Sequence, residues 1–435
     1  MIQTKGTFFG TVVSLSCTAS IVAAISASVL LSACGSSAKQ QDKNAADSTL
    51  IALPSATALS KAETERYKSI CEAWYDTMLK NRGFNGGIIV AKKGNIVFEN
   101  YMGTGHLNSN DTVTATTPFH IASVSKTFTA MAVLKLAQDG KLNIDDELVK
   151  YFPNFNYPGV TIRTLLSHRS GLPNYVHFME NIGWNKKQYV FNEDVLNSLI
   201  TRKAELKDIA RPNTRFAYCN SNYALLALLI EKISGMKYAQ FMQQTFFKPL
   251  QMTNTFVFDT SMLQKVNPSY DWKGEQIQYN FLDAVYGDKN IYSTPHDLLI
   301  WDKAINCKKI FNDTTLMEAY APYSNEKPGI RNYGLGWRMN IYPNGKKMIY
   351  HNGWWHGNNA SFIRLIEDSA TIIVVGNKFN RNIYHAKDMA AAFGDYGSGT
   401  EDEEESTGNA KKETDTTSKK KAIVSKKVKQ KKGRR

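Results

Sequence analysis

Hydrophobic residues are concentrated in two stretches that have the length of buried helices. The first covers residues 124–137, is apolar at almost every position, and can end at Gly140. The second covers residues 223–233 and stops before Gly235. Because a helix that is apolar on all sides must be surrounded by protein, both are predicted to lie inside a large core.

Short runs of aromatic and β-branched residues follow in the C-terminal part of the chain. Polar or glycine-containing segments separate these runs, which cover residues 333–341, 346–350, 360–366 and 371–376. This pattern is typical of antiparallel strands that are joined by hairpins. The sequence therefore predicts an antiparallel sheet in addition to the buried helices.

The N-terminal residues differ from this pattern. The first 34 residues carry one charge, at Lys5, and an apolar stretch that ends in Leu31-Ser-Ala-Cys34. This arrangement resembles a bacterial lipoprotein signal peptide, residues 1–33, which is cleaved before a lipidated cysteine. A hydrophobic membrane anchor is the alternative. Residues 34–60, which are small and polar, are predicted to form a flexible tether.

The C-terminal segment, residues 396–435, is predicted to be disordered. An acidic block at residues 401–405 precedes residues 419–435, which contain basic but no acidic side chains and contribute to the formal net charge of +14. A basic arm can bind nucleic acid, but none is expected at an exported protein. Anionic envelope polymers or lipid headgroups are better partners, and a merely solvated tail is the alternative. Residues 61–395 remain for one large folded domain.

Three short motifs indicate chemistry, and the first is Ser123-Val-Ser-Lys126. Ser-x-x-Lys recurs elsewhere in the chain, but only Ser123 opens a predicted helix. Lys126 lies one helical turn further on and faces the same side. Desolvation would lower the pKa of this lysine, so that it can take the proton of the serine hydroxyl. Alternatively, Ser123 caps the helix and Lys126 extends to water.

The second motif, Tyr218-Cys-Asn220, is expected in an extended segment that leads into the second helix. Residues two apart in such a segment point the same way, so that Tyr218 and Asn220 can face one cleft. The phenol could then relay a proton. Alternatively, Asn220 caps the helix and Tyr218 is a packed residue whose hydroxyl is satisfied.

The third motif, His351-Asn-Gly353, lies at the end of a predicted strand. Gly353 would allow a substrate to approach the backbone closely. The N–H of Trp354 could pair with that of Ser123 as an oxyanion hole. His351 is expected to anchor a substrate carboxylate, and a purely structural histidine is the alternative.

These ordered motifs resemble those of the class C β-lactamase-like serine hydrolases, which include β-lactamases, D-alanyl-D-alanine carboxypeptidases, D-aminopeptidases and esterases. Residues 119–130, 165–173, 218–226 and 291–298 also look like family signatures, and the resemblance covers roughly residues 65–393. It implies an α/β (α+β) fold in which helices flank an antiparallel sheet and a helical lobe is inserted. It also implies a nucleophile, two proton-transfer residues, a substrate-orienting amide and a structural histidine at Ser123, Lys126, Tyr218, Asn220 and His168, respectively.

Two departures from the family pattern bear on the substrate. Class C β-lactamases carry lysine at the position of His351, and Trp354-Trp355 stand where small residues are usual. Both departures favour a peptidase or esterase. We therefore expect a lipid-anchored serine hydrolase of the bacterial envelope that acts on D-alanyl peptides, including peptidoglycan-derived ones, or on small esters and amides. A penicillin-binding-like sensor or scaffold without turnover is the alternative, and a true β-lactamase is a lesser one.

No cofactor or metal is expected. Beyond the signal peptide and Cys34, the cysteines Cys71, Cys219 and Cys307 do not make a disulfide framework, and nothing has metal-ligand spacing. The sequence carries no signal for an oligomeric state.

Overall fold

The computed structural model describes residues 50–107 and 109–397. The predicted signal peptide, the predicted lipidation site Cys34, and most of the predicted tether and tail lie outside these residues. Within the described ranges, no helix combines the length and the apolar character that are needed to cross a membrane.

Long strands occur near both ends of the described chain, and short strands lie between them. They are β1 (Gly86–Lys92), β2 (Asn95–Met102), β3 (Phe119–His120), β4 (Phe256–Val257), β5 (Ser269–Tyr270), β6 (Gln276–Ile277), β7 (Ile291–Ser293), β8 (Arg331–Tyr333), β9 (Arg338–Ile341), β10 (Lys347–Trp355), β11 (Asn358–Leu365) and β12 (Ala370–Gly376).

The helices fall mainly between β3 and β8. They are α1 (Lys61–Tyr75), α2 (Ser125–Gln138), α3 (Ile162–Leu166), α4 (Tyr175–Asn181), α5 (Asn192–Thr201), α6 (Asn220–Ser234), α7 (Tyr238–Met242), α8 (Pro295–Asn306) and α9 (Asp313–Ala319). A 3₁₀ turn, Ala122–Val124, precedes α2, and a 3₁₀ helix, Arg381–Ala392, follows β12.

The main sheet has seven strands in the order β2-β1-β12-β11-β10-β9-β8, and its neighbouring strands are antiparallel. Strands from the two ends of the domain meet in its centre, where β1 pairs with β12 from Gly86 opposite Gly376 to Lys92 opposite Ala370. The intervening helices are therefore an insertion between two halves of one sheet. This confirms the predicted fold class.

Both faces of this sheet are covered. In β1, Ile89 packs into the core that contains α8, whereas Ile88 and Val90 pack into the core that contains α1 and the 3₁₀ helix Arg381–Ala392. Alternate residues of a strand point to opposite faces, so a sheet that is covered twice needs apolar residues at consecutive positions. This explains why the strand runs are almost continuously hydrophobic.

The two predicted buried helices are α2 and α6. Helix α2 is buried along most of its length, and Phe128 stacks on Trp301 of α8 with 4.6 Å between the ring centres. Helix α6 ends at Gly235, which has a left-handed φ of 71° as predicted for a helix stop. It begins earlier than predicted, because the extended residue before Asn220 is already its N-cap.

Two strand boundaries differ from the sequence prediction. The run at residues 333–341 divides into β8 and β9, because a turn in which the N–H of Gly334 donates to the carbonyl of Trp337 separates them. Strand β10 does not end near His351 but continues to Trp355, paired with β11. The segment from Gly353 to Asn359 was predicted as the connection between two strands, yet Gly353, Trp354 and Trp355 pair with Ala360, Asn359 and Asn358.

The ends of the domain extend further than predicted. Within the predicted tether, the N–H of Ile51 donates to Pro249 and the N–H of Thr57 donates to Lys93, at 2.9 and 3.0 Å. At the other end, Tyr396 is buried and its hydroxyl donates to Asp368 at 2.6 Å. These residues therefore belong to the folded domain, because each is held to it by hydrogen bonds.

Candidate active site

Ser123 lies in the 3₁₀ turn that connects β3 to α2. The preceding residue, Ala122, has a φ of +47°, which an L residue adopts only when its surroundings hold it there. Two hydrogen bonds supply this support: the N–H of Ala122 donates to His120 Nδ1 at 3.2 Å, and the N–H of Val124 donates to the carbonyl of Ile121 at 3.1 Å. Ser123, the candidate nucleophile, thus lies in a turn whose backbone conformation is fixed by hydrogen bonds.

Strand β10 packs directly against this turn at Gly353. A Cβ atom on Gly353 would lie 2.3 Å from the carbonyl oxygen of Ile121 and 3.1 Å from Cβ of Ala122. Glycine is therefore required so that β10 can approach the turn that carries Ser123. The sequence analysis expected the close approach to come from a substrate; the structure places the protein's own backbone there.

Lys126 is fully buried in the first turn of α2, and its Nζ donates to Ser123 Oγ at 3.1 Å and to the carbonyl of Asp288 at 2.8 Å. The alternative in which this lysine extends to water is therefore wrong. The serine and the lysine lie together as the motif spacing predicted. The bond to Asp288 leaves the ammonium group little freedom to move away from Ser123.

Asp288 is itself held by a buried polar cluster that the sequence analysis missed. The Tyr175 hydroxyl donates to Asp288 Oδ2 at 2.9 Å, and Lys289 Nζ donates to the same hydroxyl. Burial lowers the pKa of Lys289, and the neighbouring Asp288 carboxylate opposes this shift. The sequence signal for the cluster was a polar Asp-Lys-Asn triplet directly before the apolar strand β7.

Tyr218 is half-buried and lies two residues before α6. Its ring centre is 5.0 Å from Nζ of Lys126 and 5.1 Å from the guanidinium carbon of Arg338. Beneath it lies His168, with 4.3 Å between the two ring centres. Two cations beside a phenol stabilise negative charge on its oxygen, so Tyr218 is well placed to pass a proton.

Asn220 is the first residue of α6, and Cys219 is the N-cap. Tyr218 and Asn220 therefore do not share one extended segment, and the alternation argument that placed both side chains in one cleft does not apply. The alternative in which Asn220 caps the helix is also wrong. The error arose because the first turn of α6 is polar, so hydrophobicity alone located the helix start too late.

His351 is fully buried in β10 and both of its ring nitrogens have partners. Nδ1 is 2.7 Å from the carbonyl oxygen of Asn352, and Nε2 is 3.2 Å from the Tyr333 hydroxyl. Because a carbonyl can only accept, Nδ1 carries the hydrogen and Nε2 accepts from Tyr333. Burial, followed by the charges of Arg338 and Lys126, lowers the pKa of His351 well below its usual value. A neutral His351 does not supply the cation of a carboxylate anchor, and its contact with a substrate carboxylate stays a prediction.

Arg338 supplies the cation that the third motif lacks. It lies on β9 against Tyr218, and its charge acts on both His351 and His168. Sequence reasoning missed it because it stands apart from the three motifs. It could have been noticed only as a cation within an otherwise uncharged aromatic run, residues 333–341.

Trp354 is half-buried in β10, one residue beyond Gly353. Its indole Nε1 donates to the carbonyl of His356 at 2.8 Å, and its ring packs edge-on against Phe379. The pairing of its backbone N–H with that of Ser123 as an oxyanion hole stays a prediction.

Among the described residues, no group of three or more His, Cys, Asp or Glu side chains is arranged to hold a metal ion. The three cysteines in the same part of the chain are free, and Cys71 and Cys219 are buried. The chemistry of the site is that of a serine activated by a buried lysine and an adjacent tyrosine.

This combination of fold and site defines a serine hydrolase. The chain belongs to the beta-lactamase family, whose sequence model matches residues 72–394. It is similar to penicillin-binding protein 4* of Bacillus subtilis, with 29% identity over 335 residues that cover 73% of each chain. The family that the motifs resembled is thus confirmed.

Two solved structures share the fold. A penicillin-binding protein from Bacillus halodurans matches with a TM-score of 0.64 and 23% identity, over 75% of this chain and 97% of that one. A D-stereospecific amidohydrolase from Streptomyces sp. matches with a TM-score of 0.59 and 19% identity, over 76% of this chain and 98% of that one.

Proposed function

We propose that this serine hydrolase forms an acyl-enzyme at Ser123 and acts on D-alanyl peptides or on small esters and amides. The observation that carries the proposal is the 3.1 Å hydrogen bond between the buried Lys126 Nζ and Ser123 Oγ. A serine hydroxyl is a weak nucleophile unless a neighbouring group takes its proton. Lys126 relays this proton to Tyr218, whose ring centre lies 5.0 Å from Nζ of the lysine.

In the first step, Ser123 Oγ forms a bond to the substrate carbonyl carbon. Its proton passes to Lys126 as Lys126 gives one of its own protons to the Tyr218 phenolate, so that the lysine stays an ammonium and Tyr218 becomes a phenol. The bond to the leaving amine or alcohol then breaks, and the leaving group takes that proton. In the second step, water attacks the ester at Ser123 and gives one proton to the same relay. The carboxylic acid leaves and the proton returns to Ser123 Oγ, which restores the enzyme.

Two considerations bear on the class of substrate. The proteins to which this chain is similar include a penicillin-binding protein and a D-stereospecific amidohydrolase. In addition, the third motif presents a neutral, buried His351 in place of a lysine, which argues against efficient β-lactam hydrolysis.

Mass spectrometry of the intact protein tests the proposal. A fluorophosphonate and a penicillin should each add one adduct at Ser123, and Ser123→Ala should remove both adducts while melting at about the same temperature. Lys126→Met, which keeps the length of the buried chain, should slow labelling by about a thousandfold or more, because residues that act as one unit fail together. Labelling at another serine would overturn the assignment.

A time course of deacylation then distinguishes turnover from trapping. Hydrolysis of D-alanyl peptides or esters in a substrate panel is expected of an enzyme, whatever the lifetime of its penicillin adduct. A stable adduct and no hydrolysis of any panel member would instead establish a penicillin-binding-like module without turnover.

We also propose that the enzyme is anchored in the cell envelope through a lipid on Cys34. The support is the apolar N-terminal stretch that ends in Leu-Ser-Ala-Cys. Metabolic labelling with a fatty-acid analogue should mark the full-length protein, and Cys34→Ala should abolish the label. Equal labelling of the two proteins would contradict the proposal.

A further inference from the structure

A cleft of about 510 Å³ opens beside Tyr218. Its lining includes Phe216 and Ala217, which directly precede Tyr218 in the chain, and residues of the segment that leads into β8 and β9. Tyr333 and Arg338 also line it, and both contact the Tyr218 ring. The cleft therefore adjoins the candidate active site through these two residues, and its volume is typical of ligand-binding clefts, about 300–1,000 Å³.

The lining is strongly cationic. It includes four basic residues, Arg215, Lys327, Arg331 and Arg338, and one acidic residue, Glu326. Glu326 also forms an ion pair with Arg169, whose guanidinium is held by the Asn213 side chain at 2.8 Å. The charge of Glu326 is thus already balanced by a residue outside the lining, and the lining contains more basic than acidic side chains.

The cations come from separate parts of the chain. Arg215 precedes α6, Lys327 and Arg331 flank the start of β8, and Arg338 lies on β9. Apolar surface lies between them, supplied by Phe216, Ala217 and Pro328. An extended chain with acidic side chains matches this mixture, because its backbone and methylene groups can cover the apolar surface while its carboxylates meet the cations.

We propose that this cleft binds a carboxylate-bearing part of the peptide substrate and makes the enzyme selective for acidic acyl donors. The inference rests on the proposed acyl transfer at Ser123. Arginine binds carboxylate and phosphate alike. Because the proposed reaction cleaves acyl bonds in peptides, carboxylate is the anion that we assign.

Matched peptides test the selectivity. The two peptides of a pair end in D-alanyl-D-alanine and differ at one residue, which is Glu in one peptide and Gln in the other. Three pairs place this residue one, two or three positions before that ending. For at least one position, kcat/KM for the Glu peptide should exceed that for the Gln peptide by about 3-fold to 100-fold at low salt, as expected for a few partly exposed ion pairs. The ratio should fall as salt is added, because exposed charges are screened.

Substitution locates the effect. The triple variant Arg215→Gln, Lys327→Gln, Arg331→Gln should bring the Glu-to-Gln ratio to about 1. Lys273→Gln, which removes an exposed cation of the β5–β6 hairpin outside the cleft, should leave the ratio as in the wild type. A wild-type ratio near 1 at every position, or a ratio that survives the triple substitution, overturns the inference.

Further measurements separate the causes of failure. Hydrolysis of both peptides at equal rates overturns the proposed selectivity of the cleft but leaves the proposed function intact. Absence of Ser123 labelling by a fluorophosphonate overturns the proposed function. Calorimetric binding of the same peptides to Ser123→Ala then tests the cleft without turnover, and equal affinities overturn it. If glycerol phosphate inhibits the enzyme and the Glu peptide is not preferred, the cleft binds phosphate and the assignment of a carboxylate ligand is wrong.

Discussion

His351 accepts a hydrogen bond from the Tyr333 hydroxyl, with 3.2 Å between Nε2 and the oxygen, on the buried side of the candidate site. The other ring nitrogen is engaged by the carbonyl of Asn352. The histidine of the third motif is therefore a neutral structural partner of Tyr333. Positive charge at this end of the site comes from Arg338 and Lys126 instead.

The preference of the enzyme for a substrate with a free carboxylate should not depend on pH. Since burial keeps the pKa of His351 well below its usual value, its charge does not change between pH 8 and 5.5. The ratio of kcat/KM for a D-alanine-terminated peptide to that for its methyl ester should therefore stay constant within about twofold over this range. A ratio that rises tenfold as pH falls would restore the cationic anchor.

Acid should destabilise the domain through its buried histidines. Burial lowers the pKa of His120 to about 4, and lowers those of His168 and His351 well below the usual value. In the unfolded chain these histidines bind protons below about pH 6.5, whereas in the folded domain they stay neutral. The free energy of unfolding therefore decreases as the pH falls from 6.5. His120 alone contributes about 3 kcal/mol of this loss by pH 4.

Denaturant unfolding at pH 7.5, 6 and 5 measures this loss. His120→Gln should be less stable than the wild type at pH 7.5, because Asn290 loses a buried partner at 3.0 Å. Its stability should nevertheless depend less steeply on pH. Parallel profiles for the two proteins would contradict the assignment of a neutral His120.

Gly353→Ala should displace the turn that carries Ser123. The added methyl group would lie 2.3 Å from the Ile121 carbonyl, so β10 or the turn must shift. A misplacement of about 1 Å at a reacting group costs about 100-fold in rate. We expect a loss of this order in the rate of fluorophosphonate labelling, and a stability loss of about 1–3 kcal/mol.

Gly345→Ala is the matched control. Gly345 has a φ of +83° and nothing within 4 Å of an added Cβ, so alanine there introduces backbone strain without a clash near the site. It should cost about 1–2 kcal/mol of stability and leave the labelling rate unchanged. Equal labelling rates for Gly353→Ala and the wild type would show that the close approach is unimportant for Ser123.

Cephalosporins should be turned over slowly or not at all. The third motif contributes no cation, and the half-buried Trp354 follows Gly353 in β10. We expect a long-lived acyl-enzyme or none, with turnover well below about 10 per second. Steady-state hydrolysis followed by absorbance measures this, and turnover at or above that rate would show that these residues do not determine the substrate class.

The sequence by itself determined the features that depend on local pattern. The continuous apolar stretches identified α2 and α6, because a helix that is surrounded by protein is apolar on all sides. The strand runs identified the sheet, and the order of the motifs identified the family. The spacing of Ser123 and Lys126 within one helical turn also predicted that they can meet, although burial of the lysine was needed to exclude its extension to water.

The tertiary structure alone decided what depends on residues distant in the chain. The charge state of His351 follows from burial and from Arg338 and Tyr333, which reach it from β9 and β8. The role of Gly353 follows from the turn at Ile121, which no local pattern places beside β10. Burial and electrostatic interactions are properties of three-dimensional surroundings, and a motif specifies a residue without specifying what surrounds it.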